Sequence, residues 1–484
     1  MIMPSTSGTA TETVDRVRFE PGSFRDRNGR VFYRDGGIYR TVGSEALASW
    51  EMLRATRFFG EAVGAGTIVA TERVDPVSAH LGDLGPWAAV LKHERIPFIS
   101  YPYEWCFGML QAAALLQLDM LAAALDEEMT LKDSTPFNIQ WRGTTPVFVD
   151  IPSFERYRAG EPWGGYRQFC KLFLYPLLLQ AYKDVPFHAW LRGSIDGIDP
   201  GVINNLMSLR DLLRPGVLLH VTLQARAESR YAPGAVDVRQ NLQRAGFSRA
   251  MIVNNVSRLR KLVAGLSWAA AGSTWSDYGT SHSYSDADRE RKLEFVRTVA
   301  AARQWALAWD LGCNEGTFSR IVAEHADTVV AVDADHLTLE RLYRTLSESS
   351  QRTILPLYMN LSDPSPDLGW RGLERKAMTS RARPELILCL ALIHHLVIAA
   401  NVPLHEVLDY FAAIGGVLII EFVDKSDPMV QRLLQNKVDQ YGEYTRPEFE
   451  RLLAERYDIV RSEALPSGTR TLYHARPKAG TLGA

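Results

Sequence analysis

Residues 305–322 read WALAWDLGCNEGTFSRIV. An apolar run ends on Asp310, Gly312 and Gly316 punctuate the next seven residues, and a helical pattern begins at about Thr317. This is a strand, a turn and a helix. Glycines in such a turn let the backbone approach a ligand closely, and the start of the helix favours a carboxylate. A dinucleotide fingerprint, GxGxxG, needs glycines two and five positions after Gly312. Asn314 and Thr317 stand there, so a bound pyrophosphate is disfavoured. Roughly twenty residues on, TVVAVDAD carries Asp333 to the end of the next apolar run, where an acidic side chain can accept hydrogen bonds from both ribose hydroxyls. A nucleoside without pyrophosphate is implied.

Around this stretch the pattern alternates. ALAWDL, TVVAVDA, TILPLYM, ELILCLAL and GGVLIIEFV read as strands, and FSRIVAEH, LTLERLYRTL and VPLHEVLDYFAAI as the helices between them. Apolar strands alternating with amphipathic helices predict a parallel sheet covered on both faces. YDIVRSEAL and RTLYHARP then read as an antiparallel hairpin.

DLGCNEGTFS followed by VVAVDAD resembles the cofactor site of class I S-adenosylmethionine-dependent methyltransferases, over about residues 290–477. The resemblance implies a seven-stranded Rossmann-like sheet ending in that reversed hairpin. It matches Asp310, Gly312, Asn314 and Gly316 to the loop around the methionine moiety and Asp333 to the ribose-binding acid. Asn360, in LPLYMNLSD, stands where the family often has an Asp near the adenine amine, with Asp363 an equally local acceptor.

Methyl transfer from a sulfonium is an in-line displacement, and a base is needed when the acceptor must lose a proton. The acceptor is expected beyond the carboxyl end of the fourth strand, ELILCLALIHHL, which delivers His394 and His395. A neutral imidazole is the natural base for a hydroxyl, and His395 is preferred over His394. Both can also be read as structural. Glu421 and Asp424, in IIEFVDKSD, could join them as a metal site, as in some RNA-end methyltransferases. Without a close HxxxH or ExxEH spacing, no metal is expected.

A second pattern lies earlier. In LKDSTPFNIQWRGTTPVFVDIPSFE, residues 131–155, Asp133 precedes Asn138 by five positions and an apolar run ends on Asp150. The arrangement resembles protein and aminoglycoside kinases, in which the first carboxylate orients a hydroxyl while Asn and the last Asp hold Mg²⁺ against the phosphates. The Ala/Leu-rich helix before it, residues 104–129, is also in the expected place. Residues 16–260 thus resemble a small α+β kinase-like domain. Its departures are Leu131 and Lys132 before the Asp, Ile151 and Pro152 after Asp150, and Arg40 at the position of the phosphate Lys, with Glu45 or Glu51 as its expected partner. An ordinary structural account is also available: Asp133 or Ser134 can cap a turn, Pro136 rigidifies it, and Asp150 can end a strand.

The expectation is therefore an α/β chain: a kinase-like N-terminal module (16–260) for substrate recognition or as a scaffold, a linker or lid (261–289) carrying Tyr278, His282 and Tyr284, and a methyltransferase domain (290–477). The whole is similar to bacterial two-part methyltransferases, some grouped with nodulation or specialised-metabolite modification. The resemblance implies O-methylation of a small or glycosylated metabolite with a His base. A bifunctional kinase–methyltransferase using ATP and Mg²⁺, or a non-catalytic cofactor- or nucleotide-responsive binding protein, are the alternatives.

The totals agree with this division. At 484 residues the chain exceeds one ordinary core. A formal charge of -2, without a basic stripe carrying interleaved aromatics, argues against nucleic acid as partner. MIMPSTSGTATETVDR does not read as a secretory signal, and the most apolar runs are broken by Gln117 and Asp119 or by the paired histidines, so no membrane span is expected. Cys106, Cys170, Cys313 and Cys389 form no CxxC pair, which fits a reducing cytoplasm.

Overall fold

The computed structural model describes residues 17–77, 81, 84–231, 248–269, 286–349, 351–435 and 437–478. The chain forms two compact units, Met1–Arg95 and Ile96–Ala484. Residues 96–260, expected to belong with the N-terminal module, thus share a unit with the methyltransferase-like region. The expected lid residues Tyr278, His282 and Tyr284 lie outside the described residues.

In the first unit, β1 (Arg18–Phe19), β2 (Gly29–Arg34), β3 (Gly37–Val42), β4 (Thr71–Val74) and β5 (Ala89–His93) form an antiparallel sheet of order β1-β2-β3-β5-β4. Asp35 and Gly36 join β2 to β3 with φ of 48° and 71°, the left-handed pair that a tight two-residue hairpin requires. Helices α1 (Ser44–Arg54) and α2 (Arg57–Gly64) connect β3 to β4. Phe32, Leu81 and Val90 form a small core.

The second unit begins with α3 (Phe107–Asp126), whose alanines and leucines are mostly buried. By length and composition α3 could cross a membrane, yet it packs in the interior. Gln111 donates to the carbonyls of Val263 and Leu266, both at 2.8 Å. After it come β6 (Met129–Leu131), the hairpin β7 (Ile139–Arg142) and β8 (Thr145–Phe148), and β9 (Phe154–Arg156), which pairs with β6. Further on are α4 (His188–Gly193), α5 (Arg249–Ala264), which lies along α3, and α6 (Asp286–Ala300).

The large sheet contains β10 (Ala308–Leu311), β11 (Val329–Asp333), β12 (Ile354–Tyr358), β13 (Leu386–Cys389), β14 (Val417–Val423), β15 (Tyr457–Ala464) and β16 (Arg470–Pro477). Its order is β12-β11-β10-β13-β14-β16-β15. The first five are parallel, and β16 runs antiparallel between β14 and β15. This mostly parallel seven-stranded sheet is consistent with the methyltransferase type of Rossmann-like fold. The order reverses between β10 and β13, so a crevice is expected at the carboxyl end of β10. Helices α7 (Thr317–Ala323) and α8 (His336–Glu348) follow β10 and β11, and α9 (Leu404–Ile414) leads into β14.

Residues 96–231 are fastened to this sheet domain at several points. The Gly108 N–H, in the first turn of α3, donates to Glu340 Oε2 of α8 at 2.8 Å. A Cβ at Gly108 would lie 2.8 Å from the Tyr343 ring, so only glycine permits this approach. The β7–β8 turn meets the entry to β12, where Thr144 Oγ1 donates to the Gln351 carbonyl at 3.2 Å.

Candidate cofactor site

The turn after β10 is built on left-handed residues: φ is 79° at Gly312, 47° at Asn314 and 75° at Gly316. Gly316 is the N-cap of α7, and a Cβ there would come within 2.7 Å of Leu342 as well as straining the backbone. The N–H groups of Gly312 and Cys313 donate to the Val332 carbonyl at 2.8 and 3.0 Å, which locks the turn to β11.

Two carboxylates flank this turn. Asp310, inside β10, is buried and accepts from Ser319 Oγ at 2.6 Å. Burial pushes its carboxyl up to about 6, against the Ser319 hydrogen bond, which favours the charged form. Asp333, at the end of β11, accepts from the N–H groups of Asn314 (Oδ2) and Asp335 (Oδ1), both at 2.9 Å. Burial raises its pKa as well. An ionised carboxylate has about four lone-pair sites, so beyond its backbone bonds Asp333 retains some acceptor capacity. The structure thus brings Asp310, Gly312, Asn314, Gly316 and Asp333 together at one sheet end.

Asn360 follows the end of β12 and is exposed. Its side-chain oxygen accepts from Ser362 N–H at 3.0 Å and Ser362 Oγ at 2.8 Å, so it closes its own turn. Asp363, the local alternative, is held by both Nη atoms of Arg192 in α4, at 2.8 and 2.9 Å. Nearby, Tyr358 pairs with Asp333 across the sheet and stacks on His336 (centroids 4.0 Å), and both rings meet His188 of α4 (4.4 and 4.3 Å). No periodicity in the sequence announces this stack.

The fourth strand stops at Cys389, short of the expected histidines. Ala391 has φ 51°, and His394 and His395 lie in the helical turn beyond it. His394 is 0% exposed, and among the described residues neither ring nitrogen has a hydrogen-bond partner. His395, 4.2 Å from it between ring centroids, is pushed down to about 4 by burial and by the Arg470 charge. Both imidazoles are therefore neutral at physiological pH.

Glu421 does not meet Asp424 in a metal site. It is 0% exposed and pairs with Lys292 Nζ at 2.5 Å and Arg470 Nη1 at 3.3 Å, and it accepts the Ala391 N–H at 2.7 Å. Arg470 also binds Asp427 through Nε at 2.7 Å and Nη2 at 3.0 Å. Asp424 instead accepts from Ser426 in a local turn. Lys292, missed from sequence, shares the face of α6 that carries Phe295, Val296 and Val299. A lone Lys at i before apolar residues at i+3, i+4 and i+7 was the available signal.

Among the kinase-like residues, Asp133 presents its carbonyl to Gln117 Nε2 at 3.1 Å. Asn138 Nδ2 donates to Ser153 Oγ at 3.4 Å, and Asp150 precedes the turn Ile151–Ser153. Arg40 belongs to the first unit, on β3, 3.9 Å from Asp26. The expected partner Glu51 is engaged by Arg54 at 2.5 Å and Arg73 at 3.4 Å.

Over 459 residues the chain is 35% identical to the nodulation protein NoeA of Rhizobium meliloti (strain 1021), covering 93% of this chain and 94% of NoeA. The chain belongs to the NoeA family. Kinship with NoeA extends over both compact units. No protein-family model matches. Similar solved structures include the N-methyltransferase NodS from Bradyrhizobium japonicum WM9 in complex with S-adenosyl-L-homocysteine, at 14% identity over 40% of this chain and 87% of that one, TM-score 0.30. Another is magnesium protoporphyrin IX methyltransferase (ChlM) from Synechocystis PCC 6803, at 15% identity over 41% of this chain and 90% of that one, TM-score 0.29.

Proposed function

We propose that this NoeA-family chain is an S-adenosylmethionine-dependent methyltransferase. One observation carries the reading: the left-handed glycine turn after β10 is tied to Asp333 through the Asn314 N–H, at the reversal point of a seven-stranded sheet. The residues fit the cofactor. Gly312 and Gly316 leave the backbone open to close approach, Asp310 offers a carboxylate to the methionine end, and Asp333 retains acceptor capacity for ribose hydroxyls. Asn360 stands at the adenine end. When bound, the cofactor supplies an electrophilic methyl group.

The acceptor is proposed to be a small or glycosylated metabolite methylated on oxygen. Neutral His395 or His394 would take the hydroxyl proton, and the Glu421–Ala391 hydrogen bond would orient their turn. A formal charge of -2 without a basic stripe favours a small-molecule acceptor over nucleic acid. Four free, buried cysteines suit a reducing cytoplasm.

The Asp133, Asn138 and Asp150 pattern, with α3 before it and the β7–β8 hairpin and β6–β9 pair around it, supports a second reading. Residues 16–260 would be a degenerate kinase-like scaffold that presents the acceptor.

Calorimetric titration with S-adenosylhomocysteine, followed by ATP and Mg²⁺, tests both. Saturable binding of the first alone is expected. Binding of ATP as well would make Asp133, Asn138 and Asp150 a working site, and binding of neither would remove the basis of the proposal. Multiple-turnover formation of S-adenosylhomocysteine would separate enzyme from sensor.

A further inference from the structure

Arg375 lies in the connection from β12 to β13 and is only 6% exposed. Its Nε and Nη1 are buried with no hydrogen-bond partner, and no ion pair engages its side chain among the described residues. Acids adjacent in the chain are turned elsewhere: Glu374 accepts the Trp370 N–H at 2.5 Å and Asp367 the Ala377 N–H at 2.7 Å. The next arginine, Arg381, takes Glu104 for itself.

An unpaired buried charge is strongly unfavourable. The Phe137 ring, 5.7 Å from Arg375 Cζ, offers a cation–π contact that offsets only part of this. A second unsatisfied group stands close by. The Tyr103 hydroxyl is buried without a hydrogen-bond partner among the described residues; burial and the Glu104 carboxylate push its pKa up, while the charges of Arg381 and Arg375 pull it down. Two buried groups without hydrogen-bond partners, one of them cationic, thus stand by the aromatic cluster of Tyr101, Tyr103 and Phe137.

We propose that Arg375 and Tyr103 bind an oxyanion carried by a small-molecule ligand, a phosphate, sulfate or carboxylate group, on the side of the β12–β13 connection that faces Phe137. If the chain is a methyltransferase, as proposed, this group belongs to the acceptor. The anion site itself stands whether or not S-adenosylhomocysteine binds.

The test is calorimetric titration of the full chain with inorganic phosphate, sulfate and acetate at constant ionic strength, with chloride as reference. One saturable site is expected. A preference for phosphate and sulfate would name a tetrahedral group, and a preference for acetate a carboxylate. Arg375→Met should lose at least tenfold in affinity and, freed of an unpaired charge, unfold at an equal or higher urea midpoint in anion-free buffer. Tyr103→Phe removes only a partnerless hydroxyl, should fold normally, and should weaken binding severalfold. Undetectable binding of all three anions to the native chain, or affinity within twofold of native in both variants, would overturn the proposal.

Discussion

Glu104 and Arg381 lie 277 positions apart in the chain yet form an ion pair at 2.6 Å in which each side chain is 1% exposed. Arg381 stacks over Tyr101 at 4.7 Å and Phe98 at 5.3 Å. Glu104 accepts in addition from Ser365 Oγ at 2.5 Å and the Tyr101 N–H at 2.9 Å. The pair joins the segment after Arg95 to the β12–β13 connection of the sheet domain. It explains in part why residues 96–231 and the sheet form one compact unit.

Because removing one partner strands the other charge in the interior, Glu104→Gln or Arg381→Met is expected to lower stability by about 3–5 kcal/mol. Replacing both with apolar residues should recover more than half of that loss. Urea unfolding of the singles and the double measures it, and additive losses would show that the two residues act independently.

Asp310 gives the domain an unusual pH dependence. Its folded pKa is about 6 against the ordinary 3.8, so the folded state holds a proton that the unfolded chain has released. The stability linked to this group is fully present below about pH 4 and is lost as pH rises through 6, by roughly 3 kcal/mol at 1.36 kcal/mol per pH unit. Asp310→Asn should flatten that slope, leaving the smaller part that Asp333, shifted in the same direction, contributes. Urea midpoints at pH 4.5 and 7 for both proteins decide it; parallel changes would mean that Asp310 does not titrate in this window.

The sequence made some of this site readable and hid the rest for physical reasons. Alternating apolar strands and amphipathic helices after residue 289 revealed the sheet, and the glycine spacing between Asp310 and Thr317 revealed the turn, because both are local signals. ELILCLALIHHL was misread at its end, since a continuous apolar run does not say where strand yields to helix. The strand stops at Cys389 and a helical turn holds the histidines. Glu104–Arg381, Gly108–Glu340 and Lys292–Glu421 depend on packing between distant segments, and a charged residue carries no local mark that it will be buried.

His394 and His395 should separate cleanly. His394 has two unsatisfied ring nitrogens in the interior, so His394→Leu is expected to leave stability unchanged or raise it by about 1 kcal/mol. If His395 is the base, His395→Ala lowers kcat by roughly 10²–10⁴-fold with unchanged cofactor affinity. The rate should then show no loss near pH 6.5, because the His395 imidazole remains neutral down to about pH 4. Initial rates of S-adenosylhomocysteine formation against pH provide the readout. Loss of turnover in His394→Leu with His395→Ala near native would transfer the role to His394.

Asp333→Ala removes the acceptor proposed for the ribose hydroxyls, charge-assisted bonds worth about 1.5–3 kcal/mol, and affinity for S-adenosylhomocysteine should fall roughly tenfold to hundredfold. The same carboxylate also holds the N–H groups of Asn314 and Asp335, so a loosened turn contributes to the loss. Asp333→Asn removes the charge while keeping one acceptor oxygen, but its NH2 then faces one of the two backbone N–H groups. Calorimetry beside urea unfolding is therefore expected to give Asn and Ala variants that are both weaker than native in stability and in affinity. Native affinity in a folded Ala variant would place the ribose elsewhere and detach Asp333 from the cofactor site.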